Sequence, residues 1–160
     1  MQFVSEKTID EVIDFFQSDE ALYDQTILEF TKEQPGISNY LLSEEFDSLS
    51  RDEKEVLLYM NIIVYNAIKK NHPTIPAVTV DELENCEEQN WELLDNITEK
   101  RFSDRLTVFF EKSTQEDLLA FFEDALVEEE EEYKFITKEG REPMFIALKS
   151  VVDAIELQFA

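Results

Sequence analysis

Glycine occurs only twice in this 160-residue chain, at positions 36 and 140. Left-handed turns, bulges and tight hairpins draw on glycine, so a chain this poor in it is confined largely to helices joined by short links. The same scarcity removes every glycine-rich phosphate loop. Four prolines add few breaks of their own, and a hydrophobic share of 43% with thirteen phenylalanines supplies a sizeable core. The length is that of one domain.

Helix starts and stops are legible along the chain. Thr8 with Glu11 has capping-box spacing ahead of Ile9, Val12, Ile13 and Phe16. Ser18 is placed to cap a second helix carrying Leu22, Tyr23, Ile27 and Phe30, which Pro35-Gly36 should end. A short helix over 37–42 follows, with Pro35 suited to its first turn. Ser50 with Glu53 is the clearest capping box and opens a long apolar helix that ends near Lys69-Lys70. His72-Pro73-Thr74-Ile75-Pro76 reads as an extended loop. Thr79 or Asp81 starts a helix with an apolar line at Leu83, Cys86, Asn90, Leu93 and Ile97. Another covers 100–111, and Ser113 with Glu116 makes a third capping box ahead of Leu118, Leu119, Phe122, Ala125 and Leu126. The last helix carries Phe145, Leu148, Val152 and Ile155.

This pattern predicts an all-α, single-domain bundle over 1–160 with seven to eight helices. Two nearly all-apolar helices, about 51–70 and 142–158, belong at its centre with amphipathic helices around them. The longest apolar stretch, 56–68, is too short to span a bilayer, which needs about 20 residues. The amino end shows no basic segment followed by an apolar one, and cysteine occurs once; both suggest a cytoplasmic protein. The run from Thr137 to Ile155 resembles one end of a bacterial helical domain, without a motif that carries a function.

Charge is the strongest functional signal. The formal net charge is −24, which argues against direct nucleic-acid binding through a basic face. It is unevenly spread: residues 81–132 hold 19 acids against four bases, and 133–160 hold four of each. An acidic middle of this kind suits a basic protein partner. The candidate interaction surface comprises Glu84, Glu87, Glu88, Asp95, Asp117, Asp124 and the run Glu128, Glu129, Glu130, Glu131 and Glu132. Five adjacent glutamates at the end of a helix oppose its macrodipole, so a solvated helix end is the simpler account of that run.

Catalytic chemistry finds little footing. His72 is the only imidazole, and Cys86 lies on the apolar line of its helix, where an inert buried thiol is the common case. One His and one Cys exclude ordinary zinc sites and the paired Glu-x-x-His motifs of di-iron bundles. Glu84/Glu87 and Glu92/Asp95 have the spacings by which all-helical nucleotide pyrophosphohydrolases bind magnesium. Both pairs fall on one helix, however, so they cannot clamp a cation between two. No cofactor or metal is expected. The sequence therefore favours a non-enzymatic interaction module with an acidic face. The alternatives are a homo-oligomer in which that face has no role, and a magnesium-dependent hydrolase.

Overall fold

Ser50 and Glu53 form a complete capping box: the Glu53 N–H donates to Ser50 Oγ at 3.1 Å, and the Ser50 N–H donates to Glu53 Oε1 at 2.9 Å. In the computed structural model, which describes residues 1–127 and 136–160, this box opens a helix of 21 residues. Among the described residues every regular element is helical. In chain order they are α1 (Glu6–Ser18), α2 (Glu20–Glu33), α3 (Pro35–Leu41), a 3-10 turn (Glu44–Phe46), α4 (Arg51–Asn71), α5 (Val80–Asp95), α6 (Phe102–Arg105), α7 (Thr107–Lys112), α8 (Glu116–Val127) and α9 (Lys138–Leu157). The expected seven to eight helices are present if α6 and α7 are taken as one helix broken at the buried Leu106. This is an all-α single-domain bundle.

The two helices expected at the centre are there. α4 and α9 each bury eleven residues, and they pack on each other. α9 also carries α5 and α8 against its sides, while α4 carries α1 and α2. Phe145 of α9 is fully buried with Phe102, Phe109 and Phe122 around it, at ring-centroid distances of 5.5–6.3 Å. Aromatic pairs at such separations contribute ~0.5–1.5 kcal/mol each beyond the area they bury. No helix among the described residues is long and apolar enough to cross a membrane.

Several helix starts differ from the sequence expectation, each for a local reason. Ser5 rather than Thr8 caps α1, its hydroxyl accepting the Thr8 N–H at 3.2 Å. Asp19 rather than Ser18 caps α2, because Ser18 still belongs to α1 and donates its hydroxyl to the Phe15 carbonyl. Ser113 accepts from the Gln115 N–H at 2.9 Å, so the expected pairing with Glu116 is replaced by a tighter turn. Thr79 caps α5 and Thr137 caps α9. Asparagines on the apolar faces serve backbone and neighbours: Asn61 donates to Leu57 O, Asn66 to Ile62 O, and Asn90 to Ser150 and Asp153.

Two buried polar side chains hold separate parts of the chain together. Gln34, 0% exposed, accepts the Val78 N–H at Oε1 and donates from Nε2 to Ile75 O, Pro76 O and the Tyr65 hydroxyl. It thereby fixes the proline-bounded loop against the start of α3. Glu53, 2% exposed, accepts at Oε2 from both the N–H and the hydroxyl of Thr137 at 3.1 Å. One carboxylate thus sits at the amino ends of both central helices, where the positive ends of two macrodipoles favour it.

Candidate functional site

α5 buries Leu83, Cys86, Glu87, Asn90 and Leu94 against α9 and α3. Leu94, not Leu93, continues the inward row, because steps of three and four from Leu83 lead to it. The opposite side carries Asp81, Glu84, Glu88, Glu92 and Asp95, all exposed, at steps of three, four, four and three. At 1.5 Å per residue this row is about 21 Å long. α5 contains no lysine or arginine, and none of the five forms an ion pair among the described residues.

Of the residues singled out from the sequence, Glu84, Glu88 and Asp95 lie in this outward row. Glu87 does not. It is 6% exposed on the inward side, beside Glu45 of the 3-10 turn, with Tyr40 of α3 and Trp91 facing it. Its position one helical turn past Leu83 is the sequence signal for burial. Asp117 accepts the Glu6 N–H at 2.8 Å, so it helps close the start of α1. Asp124 is exposed on α8, which leans on α9 and α1 rather than on α3. The run 128–132 lies outside the described residues.

The same geometry separates the magnesium-type pairs. Glu84 points outward and Glu87 inward, and among the described residues no three His, Cys, Asp or Glu side chains gather as metal ligands. His72 accepts the Gln2 N–H at Nε2 and stacks on Phe159 at 4.3 Å. Burial, followed by the charge of Asp153, pushes the Cys86 thiol up to about 11, opposite to the shift that activates a nucleophile.

Burial, then the neighbouring Glu45 carboxylate, raises the Glu87 carboxyl to about 7. The folded state therefore holds this proton more tightly than the unfolded chain. That contribution is fully present below about 4.5 and is lost as pH rises through about 7. Glu87→Gln should leave stability unchanged at pH 4.5 or below, and raise it by about 1–2 kcal/mol at pH 8. Thermal unfolding of both proteins across this range provides the test, with Trp91 as the optical reporter; a pH-independent difference would refute the assignment.

An open cleft lies elsewhere. A groove of about 580 Å³ runs between α1, α2, α4 and α8, and sequence reasoning missed it. Ile13, Ile27, Leu58, Ile63 and Phe121 give it an apolar floor, and Asp52 and Glu55 stand at its edge. Tyr23 and Tyr59 meet there edge to face at 5.4 Å. Burial, then Tyr59, Asp24 and Glu55, pushes the Tyr23 phenol up to about 12. The one sequence trace of it is the α4 stripe Asp52, Glu55, Val56, Tyr59, Ile63, spaced at helical intervals.

No protein-family model matches the chain, and comparisons with curated proteins and with solved structures give no match.

Proposed function

We propose that this chain is a non-enzymatic interaction domain that engages a basic protein partner through the outward face of α5. The reading rests on one observation: five exposed carboxylates in a single row, with no counter-charge on the helix that bears them. Unneutralised like charges repel along a helix face, by a few tenths of a kcal/mol per neighbouring pair. A cationic surface relieves that repulsion, speeds encounter and makes association salt-sensitive. Asp124 and the run Glu128–Glu132 would extend the negative field in sequence beyond α5. The setting we propose is the cytoplasm, in keeping with a single cysteine that is buried and unpaired.

The homo-oligomer alternative has weaker support. Among the described residues the exposed large apolar side chains are Phe3, Phe15, Leu28, Leu42 and Leu157, and a second copy would bring the same net charge of −24 to any face it shared.

The test changes Asp81 and Asp95 to Asn, and Glu84, Glu88 and Glu92 to Gln, in one variant. Wild type and variant are used in parallel to capture proteins from native extract at low and moderate salt. We expect a basic protein held by the wild type at low salt, released by moderate salt, and bound at least about tenfold more weakly by the variant. The same retained proteins on both, at equal strength, would sink the proposal.

A further inference from the structure

The groove between α1, α2, α4 and α8 is a second surface, built from residues the α5 row does not touch. We propose that it seats an amphipathic helix of a cationic partner, with an apolar stripe on the groove floor and Lys or Arg side chains against Asp52 and Glu55.

Three features of the groove select this occupant. Its floor is apolar and aromatic, so burying it favours an apolar surface over a hydrated one. Along α4 the groove residues that reach solvent are Asp52, Glu55, Leu58 and Tyr59, with Val56 and Ile63 buried beneath them. An incoming helix with apolar residues at i, i+3 or i+4, and i+7 presents a continuous stripe to the half-buried Ile13, Ile27, Leu58 and Phe121. The edge is negative: Asp52 and Glu55 flank the floor, and Asp24 lies next to Tyr23. Of the two cations adjoining these acids in sequence, Lys54 pairs with Asp47, and Arg51 meets Glu55 at 3.4 Å in a pair exposed on both sides, which is worth little and is easily exchanged for an incoming cation.

Charge also argues against a second copy as the occupant. A second copy of this chain carries −24 and would bring acid to acid. A cationic helix is the electrostatic complement of an edge that carries Asp52 and Glu55.

The probe is a fluorescein-labelled synthetic peptide of about 18 residues, with leucine at i, i+3, i+4 and i+7 through its length and lysine elsewhere. A scrambled peptide of identical composition, lacking the stripe, is the control. Binding of both is followed by anisotropy at fixed moderate salt, against wild type and three variants. Ile27→Lys places a cation on the groove floor; Asp52→Asn with Glu55→Gln neutralises the edge and leaves the floor intact. The third variant is the amide-substituted α5 row described above.

We expect wild type to bind the striped peptide at least about tenfold more tightly than the scrambled one. Ile27→Lys should abolish that preference, and the edge variant should weaken the striped peptide about three- to tenfold. The α5 variant should keep the preference while weakening both peptides alike. Equal binding of the two peptides to wild type would overturn the groove assignment and leave the α5 reading standing. A preference that survives in both the Ile27→Lys and edge variants would overturn it too, and the edge variant decides alone if Ile27→Lys does not fold. Light scattering that finds a dimer which Ile27→Lys converts to monomer would also overturn it, giving the groove to a second copy. An α5 variant that binds both peptides as wild type does would count against the α5 reading only.

Discussion

Gly36→Ala should lower stability by about 3 kcal/mol and the unfolding midpoint by roughly 6–12 °C. Two effects oppose each other here. Gly36 lies in the first turn of α3 with ordinary negative φ, so helix propensity alone favours alanine by up to about 1 kcal/mol. A Cβ at this position, however, would stand 2.1 Å from the Val78 carbonyl oxygen and 3.2 Å from its carbon. Those are backbone atoms, and they cannot swing aside. Gln34 also pins the segment, holding the Val78 N–H and the carbonyls of Ile75 and Pro76 from the residue before Pro35. Relieving the clash means breaking a buried hydrogen-bond set or shifting the start of α3, and either outweighs the propensity gain. Thermal and urea unfolding of the variant provide the check. An unchanged or higher midpoint would show that the segment over 75–79 can yield.

A comparable loss, about 3 kcal/mol, should follow Glu53→Ala. The truncation takes the acceptor from the Ser50 N–H and from both donors of Thr137, uncoupling the starts of α4 and α9. It also bears on the second glycine. A Cβ on Gly140 would lie 2.1 Å from Glu53 Oε2 and 3.1 Å from Thr137 Oγ1. A carboxylate is ordinarily free to move, but this one is held by the groups it bonds. Gly140→Ala should therefore be destabilising in the wild type and nearly neutral in the Glu53→Ala background. A double-mutant cycle would show a coupling of about 1 kcal/mol or more. Simple additivity would mean that Gly140 is constrained by something other than Glu53.

What could be read from the sequence follows the range of each interaction. The Ser50–Glu53 box spans three residues, so its pattern announces itself, as do the apolar faces of α4 and α9. The second duty of Glu53 could not be read, because Thr137 lies 84 residues away. Glu87 shows the limit within a single helix. Its spacing from Leu83 places it inward, yet a charged residue type invites an outward assignment, and only the packing of α3, the 3-10 turn and α9 shows which wins. Thr8 and Ser18 have the right chemistry for caps, but Ser5 and Asp19 stand where the chain actually turns. The groove draws residues from four helices, and one stripe of α4 was all of it that any local pattern could carry.

The place of α9 in the chain has a consequence for synthesis. Its buried residues form the surface on which α5 and α8 close, and α4 packs on it as well. A ribosome releases this helix after all of those partners. Until it emerges, the inner sides of α4, α5 and α8 lack their principal cover, and the growing polypeptide displays an apolar seam of the kind that aggregates. By then the nascent chain has already acquired most of its negative charge, since residues 1–132 hold 34 of its 38 acids. A net charge of this size opposes the association of such seams by mutual repulsion.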